Sequence, residues 1–430
     1  MALGTLALVT IVLLLLGVPI GISIAAGLIS SSLLFDVTTL KFICQQLYTG
    51  LDSFALLAVP GFMLAGSFME KGGLSKRLVN TAEKFVGHQA GGFCAVTVVA
   101  CLFFGAISGS APATVAAIGG IMIPYMVAAG YDHEFAAGLS AVAGGLGVII
   151  PPSIPFVIYG IATQTNISDL FIAGFGPGIL IGVLLIIVAK RISKKKGYQP
   201  PRPKATGKEK LAAINEAKWA LIMPIIILGG IYGGFFTPTE ASVVAIFYSL
   251  IVGFFVYKEL KWSDVFSILD NTASFVGGVM LAFAPAAALG AVLTMLNVPA
   301  MVSHLLLSIT DNIYIIMLIV IVVLLGAGMI LDTISAIVVF APILAKVLIP
   351  MGIDPLHLGV IMVVDLAIGF VTPPVAQNLF VASSMTGLPI HGIVKKALPF
   401  ILTMLIALLL ITFFPEISLA LGKGLALLKG

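Results

Sequence analysis

GVIIPPSIPFVIYGIATQTN, residues 147–166, and GFVTPPVAQNLFVASSMTG, residues 369–387, are two versions of one phrase. Each places a glycine, three further residues and then Pro-Pro inside an apolar run. The offset is 222 residues, 369 minus 147, and at that offset Gly130-Tyr131-Asp132 meets Gly352-Ile353-Asp354. Proline has no N–H, and its ring blocks the carbonyl one turn earlier, so a Pro pair breaks a helix and frees backbone carbonyls. In an apolar chain, free backbone is tolerated only where it is enclosed by protein or lines a cavity. Proline-interrupted apolar segments at matching positions of two halves point to the binding site of a carrier.

The 430 residues are 60% hydrophobic and 9% charged, with a mean hydropathy of +1.20. A soluble domain carries about 25% charged residues, so the chain reads as an all-α polytopic membrane protein. Cys44, Cys94 and Cys101 have no metal or disulfide spacing and read as small apolar residues. The first 17 residues have no basic start and no small-residue cleavage site, and read as a first membrane helix. There is no HExxH, GxSxG or Walker A pattern, so no enzyme chemistry and no direct use of ATP is expected.

Apolar runs at residues 2–17, 19–35, 54–69, 136–161, 169–189, 211–233, 240–257, 274–296, 357–383 and 388–414 read as crossings. Several are close to the roughly 20 residues that a helix needs. Only Gly17-Val18-Pro19 separates the first two, which admits one long broken helix instead. Residues 91–130 and 314–352 are too long for one span, and each has two apolar limbs around a polar, glycine-rich middle at 105–112 and 326–335. Middles without Lys or Arg suit the tips of re-entrant helical hairpins better than the alternative, a solvated loop between two ordinary spans. Residues 40–51, 74–88 and 259–269 mix charge with apolar residues at helical spacing and suit helices lying in the interface.

Each half then holds five crossings and one hairpin. Five is odd, so the second half starts on the opposite side and the repeat is inverted, an architecture of alternating-access carriers. The first repeat is 1–189, with scaffold helices and arm 1–90, hairpin and broken helix 91–168 and closing helix 169–189. A basic linker, 190–210, leads to the second repeat at 211–430, with scaffold 211–312, hairpin and broken helix 313–387 and closing helix 388–414. This topology gathers 18 of the 22 basic residues on one side, leaving Lys41, Lys346, Lys423 and Lys429 elsewhere. Basic loops stay in the cytoplasm, so both termini are expected in the periplasm. The linker's basic run is a topology signal, and no nucleic-acid partner is expected.

If the halves pack about a pseudo-two-fold, Ser108, Ser110 and Thr114 face Val148, Ile150 and Pro151. Asp332, Thr333 and Ser335 then face Gly369, Thr372 and Pro373. Hydroxyls and carbonyls with at most one carboxylate suit Na⁺, and helix starts after the breaks suit an anion. Small hydroxyl residues also serve helix packing in membranes, which is the alternative for these serines and threonines. Asp332 and Asp365 lie in apolar stretches where a carboxylate needs a partner or water. A functional role is favoured for Asp332, while Asp365 could instead bond a hairpin backbone. Thr237-Pro238-Thr239-Glu240 reads as a capping box with proline at the first helical position, which makes Glu240 structural.

At these residues the chain resembles the large membrane subunit of tripartite ATP-independent periplasmic (TRAP) transporters. The likeness spans nearly the whole chain. It rests on Pro60-Gly61-Phe62 with Gly72-Gly73-Leu74, Ser108-Gly109-Ser110, Gly145 through Pro151-Pro152-Ser153, Phe236-Thr237-Pro238-Thr239-Glu240, Gly352-Ile353-Asp354-Pro355 and Thr372-Pro373-Pro374. The resemblance implies an elevator of the ion transporter superfamily, an inner-membrane location, Na⁺ coupling with at least two sites, a small four-helix membrane partner and a periplasmic substrate-binding protein. It implies an organic acid substrate. The wording at 147–163 looks closest to the sialic acid branch, with C4-dicarboxylates and other carboxylates as alternatives. The expected Na⁺ ligands are Ser108, Gly109, Ser110, Gly145, Val148, Ile150, Pro151, Gly328, Asp332, Thr333, Gly369, Thr372 and Pro373. The expected substrate residues are Ser110, Thr114, Pro152, Ser153, Ser335, Pro374 and Gln377. A carrier that works without a binding protein, of Na⁺/dicarboxylate or Na⁺/H⁺ antiporter type, is the alternative; an ion channel fits poorly.

Overall fold

The computed structural model describes residues 1–198 and 203–429; Pro200, Pro201 and Arg202 of the expected linker lie outside them. Among the described residues all regular structure is helical. Eight helices among these residues are long and apolar enough to cross a membrane, or nine if one bent pair counts as a single span.

Both glycine-rich middles interrupt helices. Gly92–Ser108 ends on Gly109, whose φ of +60° is a left-handed conformation that glycine adopts without strain. Ser110 caps the return limb, Ala111–Ala128. Thr97 Oγ1 lies 3.7 Å from Met126 Sδ, so the limbs run antiparallel. In the second half, Ile313–Ile330 stops before Asp332, whose carboxylate caps Thr333–Leu348.

The Pro-Pro pairs break helices as their chemistry requires. His133–Ile149 and Ile154–Thr163 meet at 43°. Pro355–Gly369 and Gln377–Thr386 flank the second pair, and both Pro-Pro bonds are cis. The two broken helices run antiparallel. Tyr159, late in the first, donates its hydroxyl to the Pro355 carbonyl at the start of the second, at 2.9 Å. Asn378, late in the second, donates to the Ala141 carbonyl early in the first, at 3.0 Å.

Glycines bring each hairpin onto its break. A Cβ on Gly105 would lie 2.8 Å from Gly147 Cα, and one on Gly369 would lie 2.5 Å from the Gly328 carbonyl carbon and oxygen. The same glycine-to-glycine contact thus occurs in each half.

The first two helices are separate, as read from the sequence, and two other elements depart from expectation. Ala2–Leu15 and Ile20–Phe35 do not form one broken helix: Ser31 donates to the Ala2 carbonyl at 2.9 Å, so they fold back on each other. Gly17, at φ +82°, allows that reversal. The separate arm expected at 259–269 is continuous with the next span, because Trp262–Met295 has no residue that stops it until Leu296. Val298–Ile309 is an additional helix. At the repeat offset it corresponds to Leu74–Val86, but its face lacks the charges that made the first arm legible. The capping box is as read: Glu240 Oε2 accepts the Thr237 N–H at 2.8 Å, and Thr237 Oγ1 accepts the Glu240 N–H at 3.3 Å.

The glycine contacts are testable. Gly369→Ala should destabilise the detergent-solubilised protein by about 1–3 kcal/mol, because its new methyl meets backbone that cannot swing aside. Gly229→Ala, with nothing within 4 Å, should leave the melting temperature unchanged or raised. Equal thermal shifts for the two variants would remove the close-approach reading.

Candidate substrate and cation site

The first hairpin tip gathers oxygen atoms. Ser108 Oγ lies 3.0 Å from Thr114 Oγ1, and Thr114 Oγ1 donates to the Ser110 carbonyl at 2.7 Å. Ser108 Oγ is 3.4 Å from that same carbonyl. A Cβ on Gly147 would lie 2.2 Å from Thr114 Oγ1 and 2.6 Å from the Ser110 oxygen, so the break of the neighbouring helix closes over the cluster. Ser153 Oγ donates to the Val148 carbonyl at 2.5 Å, and the Gly109 carbonyl accepts the Ile154 N–H at 3.4 Å. All these groups are buried or nearly so.

The second tip repeats the arrangement with different chemistry. Asp332 Oδ2 accepts the Ser335 N–H at 3.1 Å, and Oδ1 accepts the Ser335 hydroxyl at 2.5 Å. Thr333 is 2% exposed, and its hydroxyl has no hydrogen-bond partner. Thr372 Oγ1 donates to the Ile368 carbonyl at 2.8 Å. Met329, beside Gly328, gives its carbonyl to the Val375 N–H at 3.2 Å.

Between the tips lies a cavity of about 340 Å³. Four helix starts reach its wall: Ser110-Ala111, Ile154-Pro155, Asp332-Thr333 and Gln377. Helix starts carry partial positive charge and N–H groups without helical partners, so their convergence suits an anion. Among the described residues, Asp332 is the one ionisable group in this wall. The wall is completed by Ser274, Phe275, Gly278, Val279 and Ala282 on the long helix Trp262–Met295.

Of the expected residues, Gly109, Ser110, Val148, Asp332, Thr333, Ser335 and Gln377 line this cavity. Ser108, Thr114, Pro151, Pro152 and Ser153 lie behind it, buried. Ile150 points away, its Cδ1 lying against Gly178. A Cβ on Gly145 would face Val142, Ala367 and Met404. Pro373 and Pro374 do not line the cavity either, and they are exposed where Pro151 and Pro152 are buried. Asp365 does not bond a hairpin: it is fully buried and neither carboxylate oxygen has a partner. Sequence reasoning missed the long-helix wall, whose only signal is Gly277-Gly278 within an apolar span. It also missed Asn378, which hydrogen-bonds between the halves.

A larger cavity, about 610 Å³, lies further along the same elements. Its wall takes residues 283–291 of the long helix, 338–346 of the second hairpin and 161–164 of the broken helix, with Gln46, Thr49 and Asp52 from the first arm.

A polytopic helical protein with paired hairpin tips meeting paired helix breaks around an anion-suited cavity belongs to the class of secondary carriers. Solved structures agree on the fold. The YdaH transporter of Alcanivorax borkumensis superposes with a TM-score of 0.67 at 14% identity, over 90% of this chain and 89% of that one. MtrF of Neisseria gonorrhoeae gives 0.59 at 14%, over 88% and 85%. Residues 7–417 match the family described as the DctM component of the tripartite ATP-independent periplasmic transporter, and the chain belongs to that family. The C4-dicarboxylate TRAP transporter large permease protein DctM of Pseudomonas aeruginosa is 40% identical over 92% of both chains. The isethionate permease protein DctMQ of Oleidesulfovibrio alaskensis is 42% identical over 94% of this chain, which spans 64% of that relative's length. The sialic acid large permease protein SiaM of Vibrio cholerae is 36% identical over 96% of both. The protein is therefore a large permease subunit of a multi-span organic acid transporter, not an enzyme.

Removing an oxygen from the first tip tests whether the cluster holds a cation. Ser108→Ala and Thr114→Val should each raise the Na⁺ concentration for half-maximal uptake about tenfold or more. A hydrogen bond to a charged group contributes about 1.5–3 kcal/mol. Wild-type Na⁺ dependence in both variants would make these hydroxyls packing groups.

Proposed function

We propose that this subunit imports an organic acid together with Na⁺ by an elevator movement. A small four-helix membrane subunit and a periplasmic binding protein would complete the transporter. The observation that carries this reading is the cavity wall: four helix starts for an anion, and a lone carboxylate, Asp332, that an anion would otherwise be repelled by. A cation at each oxygen-rich tip offsets that repulsion, so acid and Na⁺ enter together. The Ser108–Ser110–Thr114 cluster is one cation site. The Gly328–Gly369 contact, with Thr372 and the unpartnered Thr333 hydroxyl, is the other. Na⁺ takes such sets of neutral oxygens, as hard cations do.

The moving body comprises both hairpins and both broken helices, 91–168 and 313–387. The arms and outer helices of 1–90 and 211–312 form the scaffold. The antiparallel run of the broken helices supports an inverted repeat. The wording at 147–163 supports sialic acid as substrate, and the relatives named for isethionate and C4-dicarboxylates supply the competing acids.

Two experiments test the reading. Proteoliposomes holding this subunit and its membrane partner receive an inward Na⁺ gradient and each candidate binding protein in turn. They should accumulate N-acetylneuraminate; accumulation of succinate or isethionate instead would replace sialic acid, and uptake without any binding protein would replace the tripartite assembly. Second, Lys195→Cys and Asn312→Cys, in a background lacking Cys44, Cys94 and Cys101, should label from opposite faces, Lys195→Cys from the cytoplasm. Labelling from one face would remove the inverted repeat.

A further inference from the structure

The larger cavity contains a charge that the orientation rule leaves unexplained. Lys346 is one of four basic residues outside the side where 18 of 22 gather. It stands in the last turn of Thr333–Leu348, the return limb of the second hairpin, and is exposed. Its ammonium forms no ion pair among the described residues. Its one bond is to Thr294 Oγ1, at 2.6 Å, on the long helix Trp262–Met295. Among the described residues, Lys346 is the one cation in the walls of the two cavities. The outer cavity lies one to two turns beyond the inner one on three shared elements, and polar side chains of Gln46, Thr49 and Gln164 face it. An acid reaching the inner site from this end passes Lys346 first.

We propose that the outer cavity is a first binding station for the carboxylate or sulfonate of the incoming acid, with Lys346 as its anchoring cation. An exposed ammonium with three N–H donors, one of them on a neutral hydroxyl and none on a carboxylate, keeps donors and an uncompensated charge to offer an anion. The bond to Thr294 places the ammonium between the hairpin limb and the long helix, at the wall of the outer cavity. Asp52 stands in the same wall and repels the anion, so its removal should tighten the station. The proposal rests on the organic-acid reading above. A lysine in a last helical turn also suits the helix dipole. A lysine serving only that role would alter stability without altering anion selectivity.

One measurement needs no substrate. Ala291→Cys, in the background lacking the three native cysteines, places a thiol in the outer wall. Its rates with anionic sulfonatoethyl and cationic trimethylammonioethyl methanethiosulfonates report the local potential. Lys346→Gln should lower the anion-to-cation rate ratio about tenfold, and Lys346→Arg should preserve it, with the contrast shrinking in 1 M salt. The second measurement uses the proteoliposomes with binding protein, supplied with N-acetylneuraminate, succinate or isethionate. Lys346→Gln should raise KM about tenfold with kcat nearly kept, Lys346→Arg should restore it, and Asp52→Asn should lower it. An unchanged thiol ratio overturns the cationic station. A lowered ratio with unchanged KM overturns its use by the acid. If the wild type accumulates none of the three acids, the organic-acid reading fails with it, while the thiol ratio still decides whether Lys346 sets the potential.

Discussion

The structure depends on how interrupted backbone is satisfied in a chain with few polar groups. Each Pro-Pro pair and each hairpin tip leaves N–H and C=O groups that a continuous helix would pair internally. Glycine contacts let the interruptions supply one another. Gly105 meets Gly147 and Gly328 meets Gly369 at distances that a Cβ would forbid. The Ile154 N–H finds the Gly109 carbonyl, and the Val375 N–H finds the Met329 carbonyl. The helix starts that follow the interruptions reach the cavity wall, so the interruptions define where a solute can be held.

The two tips solve the same geometric problem with unequal charge. The first uses only neutral oxygens, from Ser108, Ser110 and Thr114. The second adds Asp332, held as a helix cap by Ser335. A carboxylate beside an anion-suited cavity is a physical reason for cation coupling. On the reading proposed above, an acid in this cavity and Asp332 would repel each other without a cation. With one, the proposed movement would carry a smaller net charge across the apolar layer.

Much of this was legible in the sequence because it rests on local chemistry. The Pro-Pro breaks, the glycine-rich tips and the Thr237–Glu240 capping box are short-range statements, and each stands where its residues put it. The fold-back of the first two helices was open in the sequence because Gly17-Val18-Pro19 allows either a kink or a reversal. Val298–Ile309 was missed because an apolar arm without charges does not differ from the spans beside it. The long-helix wall and the outer cavity depend on which face of Trp262–Met295 turns inward, a tertiary fact that no motif marks. The exposure of Pro373 and Pro374, against the burial of Pro151 and Pro152, is likewise invisible in two nearly identical phrases.

The bonds between the halves bear on whether the two breaks can move independently. Tyr159 reaches Pro355 and Asn378 reaches Ala141, so each broken helix is pinned to the other near both of its ends. The Ala141 carbonyl is available for this because the backbone tightens just beyond it: the Gly145 N–H pairs with Val142 instead. Asn378 is fully buried, and so is the Tyr159 side chain, so separating the helices would strand polar groups in an apolar interior. A displacement that carried one break without the other would have to leave both bonds unmade. Moving the pair together against the long helix breaks neither. Across that boundary the polar tie is the exposed bond from Lys346 to Thr294, which water or an incoming anion can replace. The placement of buried and exposed hydrogen bonds therefore favours motion of the two broken helices as one body.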